Sequence, residues 1–172
     1  MIAENPDILN IELGAGCGNF GQEYYPDCFI TDKKTQGELD NTCESHSIQV
    51  FSCDAHNIPA NSDRFQTIIM CNPFRYGFRD RGDYSLLDEL YRVAQDKGIV
   101  VILTNKSNPF SNPKKVKERV ENYNGNNSTQ RFTFDYQSID AKKDYEGFAF
   151  LCFDGKRETT PTFKISLTCL KP

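Results

Sequence analysis

No stretch of this 172-residue chain approaches the roughly 20 consecutive apolar residues that a bilayer span requires, so no transmembrane segment is expected. The opening Met1-Ile2-Ala3-Glu4-Asn5-Pro6-Asp7 has neither a basic region nor an apolar run, which argues against a secretory signal. Histidines number only two, and the seven cysteines (17, 28, 43, 53, 71, 152 and 169) include no Cys-x-x-Cys pair. That leaves no zinc-like ligand set, and no metal is expected. The odd cysteine count also argues against a disulfide framework; the thiols read as small buried apolar groups kept reduced in a cytosol. Internal repeats and low-complexity tracts are lacking as well. A cytoplasmic protein without a membrane partner is the resulting expectation.

Basic residues do not outnumber acidic ones. With 20 against 24 the net charge is −4, so the field of the whole chain does not favour a polyanion, and nucleic acid could engage only through a local basic patch. What the chain does have is enough apolar material, 38% of residues, to build the core of one domain spanning 1–172.

Short apolar runs at residues 8–13, 28–31, 48–53, 67–71 and 98–104 alternate with polar, helix-compatible stretches. Runs this short and apolar at consecutive positions suit strands covered on both faces of a parallel sheet, which makes the first two-thirds of the chain α/β. Residues 84–95 place Leu86, Leu87, Leu90, Tyr91 and Ala94 on one helical side, with Gly98 expected to stop that helix. Asn112-Pro113 opens a basic helix, 114–120, whose charges Lys114, Lys115, Lys117 and Arg119 read as a solvated face opposite Val116 and Val120. After a polar loop at 125–128 come alternating segments at 131–137, 148–153 and 162–169, the last two expected to pair across a turn at Asp154-Gly155-Lys156.

The first run, Ile8-Leu9-Asn10-Ile11-Glu12-Leu13, passes directly into Gly14-Ala15-Gly16-Cys17-Gly18. A strand ending in a turn almost bare of side chains lets backbone N–H groups approach a ligand at the carboxyl end of the first strand, where open α/β sheets bind ligands. The turn alone leaves three readings open: a tight connection without a ligand, an S-adenosylmethionine site, or a dinucleotide site. Gly16-Cys17-Gly18-Asn19-Phe20-Gly21 fits GxGxxG, but the acid expected about 20 residues on has only Asp32, 16 after Gly16, to supply it.

Glu12-Leu13-Gly14-Ala15-Gly16-Cys17-Gly18 resembles motif I of the class I S-adenosylmethionine-dependent methyltransferases, in which an acid precedes the glycine turn. Three further stretches within residues 8–105 agree in order and spacing. The resemblance implies a Rossmann-like, doubly wound, mostly parallel sheet with an antiparallel C-terminal hairpin. It implies S-adenosylmethionine as cofactor and S-adenosylhomocysteine as product; the absence of substrate-covering N-terminal helices is expected instead from the first strand lying almost at the start of the sequence. Cys28-Phe29-Ile30-Thr31-Asp32, followed by Lys33, is similar to the strand whose terminal acid holds the cofactor ribose. Phe51-Ser52-Cys53-Asp54-Ala55 is similar to the strand end where an acid and the next backbone N–H meet the adenine. Cofactor contacts are therefore expected from Glu12, Gly14, Ala15, Gly16, Cys17, Gly18, Asp32, Lys33, Asp54, Ala55 and Cys71. His56 reads as a partly exposed loop residue.

The fourth stretch, ending Cys71-Asn72-Pro73-Phe74, resembles the (Asp/Asn)-Pro-Pro-(Tyr/Phe) signature of amino methyltransferases with one proline missing. There the Asn side chain and a following carbonyl accept hydrogen bonds from the target amine, and the ring stacks on a planar substrate. Asn72, Pro73 and Phe74 are the expected catalytic residues, with a structural turn as the competing reading. A looser similarity, through 72–78, Glu89-Leu90-Tyr91-Arg92-Val93, Lys97-Gly98 and Asn105-Lys106-Ser107-Asn108-Pro109, is to methyltransferase-like modules at the ends of large bacterial repeat proteins. Asp80, Asp83 and Tyr84 lie within sequence reach of a general-base role, and nothing in the sequence ranks them. The methyl acceptor is of unknown class. A non-catalytic binding module, a partner chain completing the substrate site, and an NAD-dependent oxidoreductase are the alternatives carried forward.

Overall fold

The computed structural model describes residues 5–16, 18, 20–25, 27–35, 37, 39, 50–73, 78, 82–151 and 158–172. The elements are β1 (Asn10–Leu13), α1 (Phe20–Tyr24), β2 (Cys28–Asp32), β3 (Val50–Ser52), β4 (Phe65–Cys71), α2 (Ser85–Val93), β5 (Ala94–Thr104), α3 (Pro113–Gly125), β6 (Phe132–Ser138), α4 (Ala141–Asp144), β7 (Phe150–Leu151), β8 (Glu158–Thr159) and β9 (Phe163–Cys169). Among them β3-β2-β1-β4-β5-β9-β6 form one sheet, its first five strands parallel and β9 antiparallel to both neighbours.

The consecutive apolar residues are explained by the two faces. From β4 and β5, Ile68, Met70, Val100 and Ile102 join a core with Leu86, Leu87, Leu90 and Val93 of α2 and Val116, Val120 and Tyr123 of α3. Ile69, Val101 and Leu103 enter the opposite core with Phe20 of α1, against which Tyr145, Phe148 and Phe150 pack. Alternation along a strand thus feeds both layers. The strand order turns back on itself between β1 and β4, so a crevice is expected there at the carboxyl ends of the strands.

Helix α3 begins as the sequence indicates, with Pro113 in its first turn and the Asn112 side chain accepting from the Lys115 N–H at 3.2 Å. It runs on past the expected end at 120 and through Gly125, the first residue of the expected loop, because Tyr123 is buried and its hydroxyl reaches Asp88 at 2.8 Å. Lys114, Lys115 and Lys117 face solvent as expected, but Arg119 does not: it turns inward and is 8% exposed.

Two boundaries differ from expectation. Helix α2 ends at Val93, and Ala94, already extended, is the first residue of β5 and pairs with Phe65. Burial of Ala94 against β4 overrides the helical period that residues 94 and 95 would continue. Gly98 therefore stops no helix; it lies in an irregular stretch where the register jumps from Phe65↔Ala94 to Thr67↔Ile99. A Cβ there would stand 2.9 Å from the Gln95 carbonyl oxygen and 3.0 Å from that of Phe65. The second difference is at the C-terminal end. Strand β9 pairs antiparallel with β6 and β5, whereas Phe150–Leu151 pairs with Glu158–Thr159, not with 162–169. The turn at 154–156 lies outside the described residues. Among the described residues no helix is long and apolar enough to cross a membrane.

Candidate functional site

Beyond Leu13 the backbone adopts φ 70° at Gly14 and 64° at Gly16, a region where a Cβ is strained. The turn is then tied to the end of β2: Ala15 N–H donates to the Thr31 carbonyl at 3.0 Å, and Gly16 N–H donates to Asp32 Oδ2 at 2.8 Å. The other oxygen, Oδ1, accepts from Lys34 N–H at 3.0 Å. Asp32 is thus the hinge pin between two strand ends. Gly18 closes the turn by donating to the Ala15 carbonyl, which a Cβ at residue 18 would approach to 3.0 Å.

Beneath the turn, Glu12 is almost wholly buried and accepts from the Gly21 N–H of α1 at 2.7 Å. Burial pushes its carboxyl up to about 7, against the opposing pull of Gly21 and the Cys71 thiol. Cys71, at the end of β4, is in turn raised well above the usual thiol range by burial and by the nearby Glu12. At the end of β3, Asp54 carries the opposite perturbation. Lys33 Nζ at 2.8 Å, then the His56 N–H at 3.0 Å and its ring Nδ1 at 3.0 Å, hold the carboxyl well below its ordinary range. His56 is partly exposed, as expected, and serves this acid.

Asn72 follows β4 with φ 48°, and its backbone N–H donates to the Leu103 carbonyl at 2.7 Å. Its side-chain oxygen accepts from Asn108 Nδ2 at 2.7 Å, and the same nitrogen donates to the Pro73 carbonyl at 3.2 Å. Asn108 Oδ1 accepts the N–H groups of Phe110 and Ser111 at 2.9 and 3.1 Å. One carboxamide therefore clasps the loop after β4 to the loop after β5. It engages, with one hydrogen bond each, the two acceptors that the amino methyltransferase signature offers to an amine.

A cavity of about 630 Å3 opens at this edge, a volume in the range of small-molecule sites. Its wall brings together Glu12, Gly14, Ala15, Gly16, Gly18, Cys71 and Asn72 from the expected set. Asp32, Lys33, Asp54, Ala55 and Pro73 are not part of the wall; Asp32 is tied to it through the Gly16 N–H, and Ala55 is buried in the core. Cys17 and Phe74 lie outside the described residues, as does Asp80. Asp83 and Tyr84 stand apart from this cavity, the carboxylate of Asp83 accepting from Ser85 N–H at 2.9 Å.

Six wall residues escaped the sequence reading: Phe20, Lys34, Phe148, Ala149, Phe150 and Glu158. Phe20 opens α1 next to the glycine turn and was within reach of it; the last four come from a segment over 100 residues distant, with no local signal. Phe148 packs on Phe20 at 4.6 Å between centroids, so the far segment roofs the cavity. A glycine floor, two carboxyls, one lysine and an aromatic roof suit a ligand combining charged and planar parts.

Known structures share this architecture. The cosubstrate-bound 16S rRNA (adenine(1408)-N(1))-methyltransferase of Catenulisporales acidiphilia, in a single-substitution form, superposes with TM-score 0.63 at 10% identity, over 99% of this chain and 89% of that one. The N-methyltransferase NodS of Bradyrhizobium japonicum gives 0.57 at 11% identity, over 94% and 85%. The antibiotic-resistance methyltransferase Kmr gives 0.58 at 14%, over 99% and 94%. No protein-family model matches the sequence, and no curated protein matches it. The fold is the Rossmann-like fold of the class I methyltransferases, as the four sequence stretches imply.

Proposed function

We propose that this chain binds S-adenosylmethionine in the 630 Å3 cavity and transfers its methyl group to a nitrogen acceptor. The observation that carries the reading is the glycine turn. Its two positive-φ residues, pinned to β2 by Asp32, form the floor of a cavity at the point where the strand order reverses. Asp32 accepts one N–H on each oxygen, and a carboxylate has about four acceptor sites, so ribose hydroxyls can still be received. Asp54, kept ionised by Lys33, is assigned to the adenine amino group with Ala55 N–H beside it.

When bound, the cofactor supplies a methyl group already activated on a sulfonium. The protein's part is alignment: the floor and the Phe148–Phe150 side of the cavity exclude water and hold one direction of approach, which can lower a barrier by several kcal/mol. A neutral amine needs no base once its lone pair is aimed. The nitrogen acceptor draws support from the names of the neighbours above, two of which specify methylation at nitrogen.

Asn72 is assigned to holding the two loops, because its side-chain oxygen already accepts from the Asn108 amide, which also donates to the Pro73 carbonyl. The same clasp favours a second reading, a module that binds the cofactor without transferring the methyl group.

Calorimetry with S-adenosylmethionine, S-adenosylhomocysteine and NAD tests the proposal. Binding of the first two, weakened tenfold or more in Asp32→Ala (about 1.4 kcal/mol), is expected. Preference for NAD, or no binding at all, overturns it. Transfer of labelled methyl to a panel of amines and nucleobases separates the enzyme from the module.

A further inference from the structure

A second cavity, about 330 Å3, lies on the far side of the clasp, where Pro109 and Phe110 directly follow Asn108. Phe78, Tyr84, Phe110, Lys115, Glu118 and Arg119 define its chemistry. Arg119 is the informative residue. Its guanidinium lies 4.7 Å from the centroid of the Tyr84 ring, and Nη2 donates to the Asp83 carbonyl. Its Nε is buried with no hydrogen-bond partner, alone in this among the described residues. A cationic donor left without an acceptor inside a folded protein is costly, and a bound anion is one of the ways in which that cost is relieved.

A guanidinium presents its N–H groups as a planar fork matched to carboxylate and phosphate. The exposed Lys115 adds a second cation, while Glu118 limits the charge that the cavity can receive, which favours a single oxyanion over a polyanion. Phe78 and Phe110 supply apolar walls for a flat group beside it.

We propose that this cavity binds the oxyanion of a small planar ligand, an aromatic carboxylate or an aryl phosphate monoester, with Arg119 as the principal contact and Lys115 as an auxiliary one. The site stands independently of methyl transfer.

Calorimetric titrations with benzoate and with phenyl phosphate distinguish the two sources of the oxyanion, with inorganic phosphate as the ring-less control. All are repeated in excess S-adenosylhomocysteine, and a site separate from the first cavity gives the same result with and without it. At least one aryl oxyanion is expected to bind tenfold or more tighter than inorganic phosphate. Arg119→Lys, which keeps the charge but loses the fork, should weaken it at least tenfold, and Lys115→Gln about threefold. Lys115 lies on the exposed side of α3, so its variant keeps the fold if Arg119→Lys does not. Absence of saturable aryl binding by the unmodified protein, indifference to these substitutions, or inorganic phosphate binding equally well overturns the proposal.

Discussion

Replacing Asn72 by alanine removes the acceptor of the 2.7 Å bond from Asn108 and leaves a residue ill-suited to φ 48° at the end of β4. Loss of one hydrogen bond costs about 0.5–1.5 kcal/mol, and holding alanine in the left-handed region about 1–2 kcal/mol. Asn108 Nδ2 keeps the Pro73 carbonyl at 3.2 Å, so no full burial penalty is added. The sum is about 1.5–3.5 kcal/mol, which in a chain of this length lowers the melting temperature by roughly 3–14 °C. Asn72→Gly, relieved of the positive-φ strain, should melt above Asn72→Ala. Circular-dichroism melts give the stability, and calorimetry with S-adenosylmethionine gives the affinity, which should change less than threefold. An unchanged melt together with a hundredfold loss of methyl transfer would refute the structural assignment and return Asn72 to the chemistry.

Glu12 binds a proton in the folded protein that the unfolded chain releases between its ordinary value of 4.5 and about 7. Its contribution to stability is present below that window and is lost as pH rises through 7; Glu12→Gln should flatten this part of the curve, by up to roughly 3 kcal/mol, in urea titrations from pH 5 to 8. Gly98→Ala forces a Cβ against two carbonyl oxygens and should cost about 1–3 kcal/mol, read as a lower urea midpoint with unchanged slope. Phe148→Ala unroofs the first cavity and should weaken S-adenosylhomocysteine binding about fivefold in calorimetry; an unaltered affinity would remove the roof from the site.

The five parallel strands and the glycine turn were legible because each announces itself within a few residues: an apolar run with at most one charge, or glycines at a strand end. The capped start of α3 was legible for the same reason, as Asn112 and Pro113 act within one turn. Where local signals compete with distant partners, sequence reading fails. Ala94 has the spacing of a helix residue and the environment of a strand, and Phe65, 29 residues earlier, decides between them. Arg119 carries the charge of a solvated face, yet Tyr84 draws it inward. Asn108 shows the same limit in the site, since its role exists only once β4 and β5 lie side by side. The aromatic roof likewise joins residues near 20 with residues near 148.

Strand β6 meets the sheet only through β9, which lies between it and β5. During synthesis β6 emerges about 30 residues before that neighbour, and until β9 arrives it has no sheet partner among the described strands. The first five strands can associate as they leave the ribosome, but the sixth must wait with its backbone groups open and Tyr136 exposed. Residues 141–150, which carry the cavity's aromatic roof, lie within that delayed interval. Vectorial synthesis thus delivers the floor of the pocket first and its cover later, and insertion of β9 between β5 and β6 is the non-local pairing that completes the sheet.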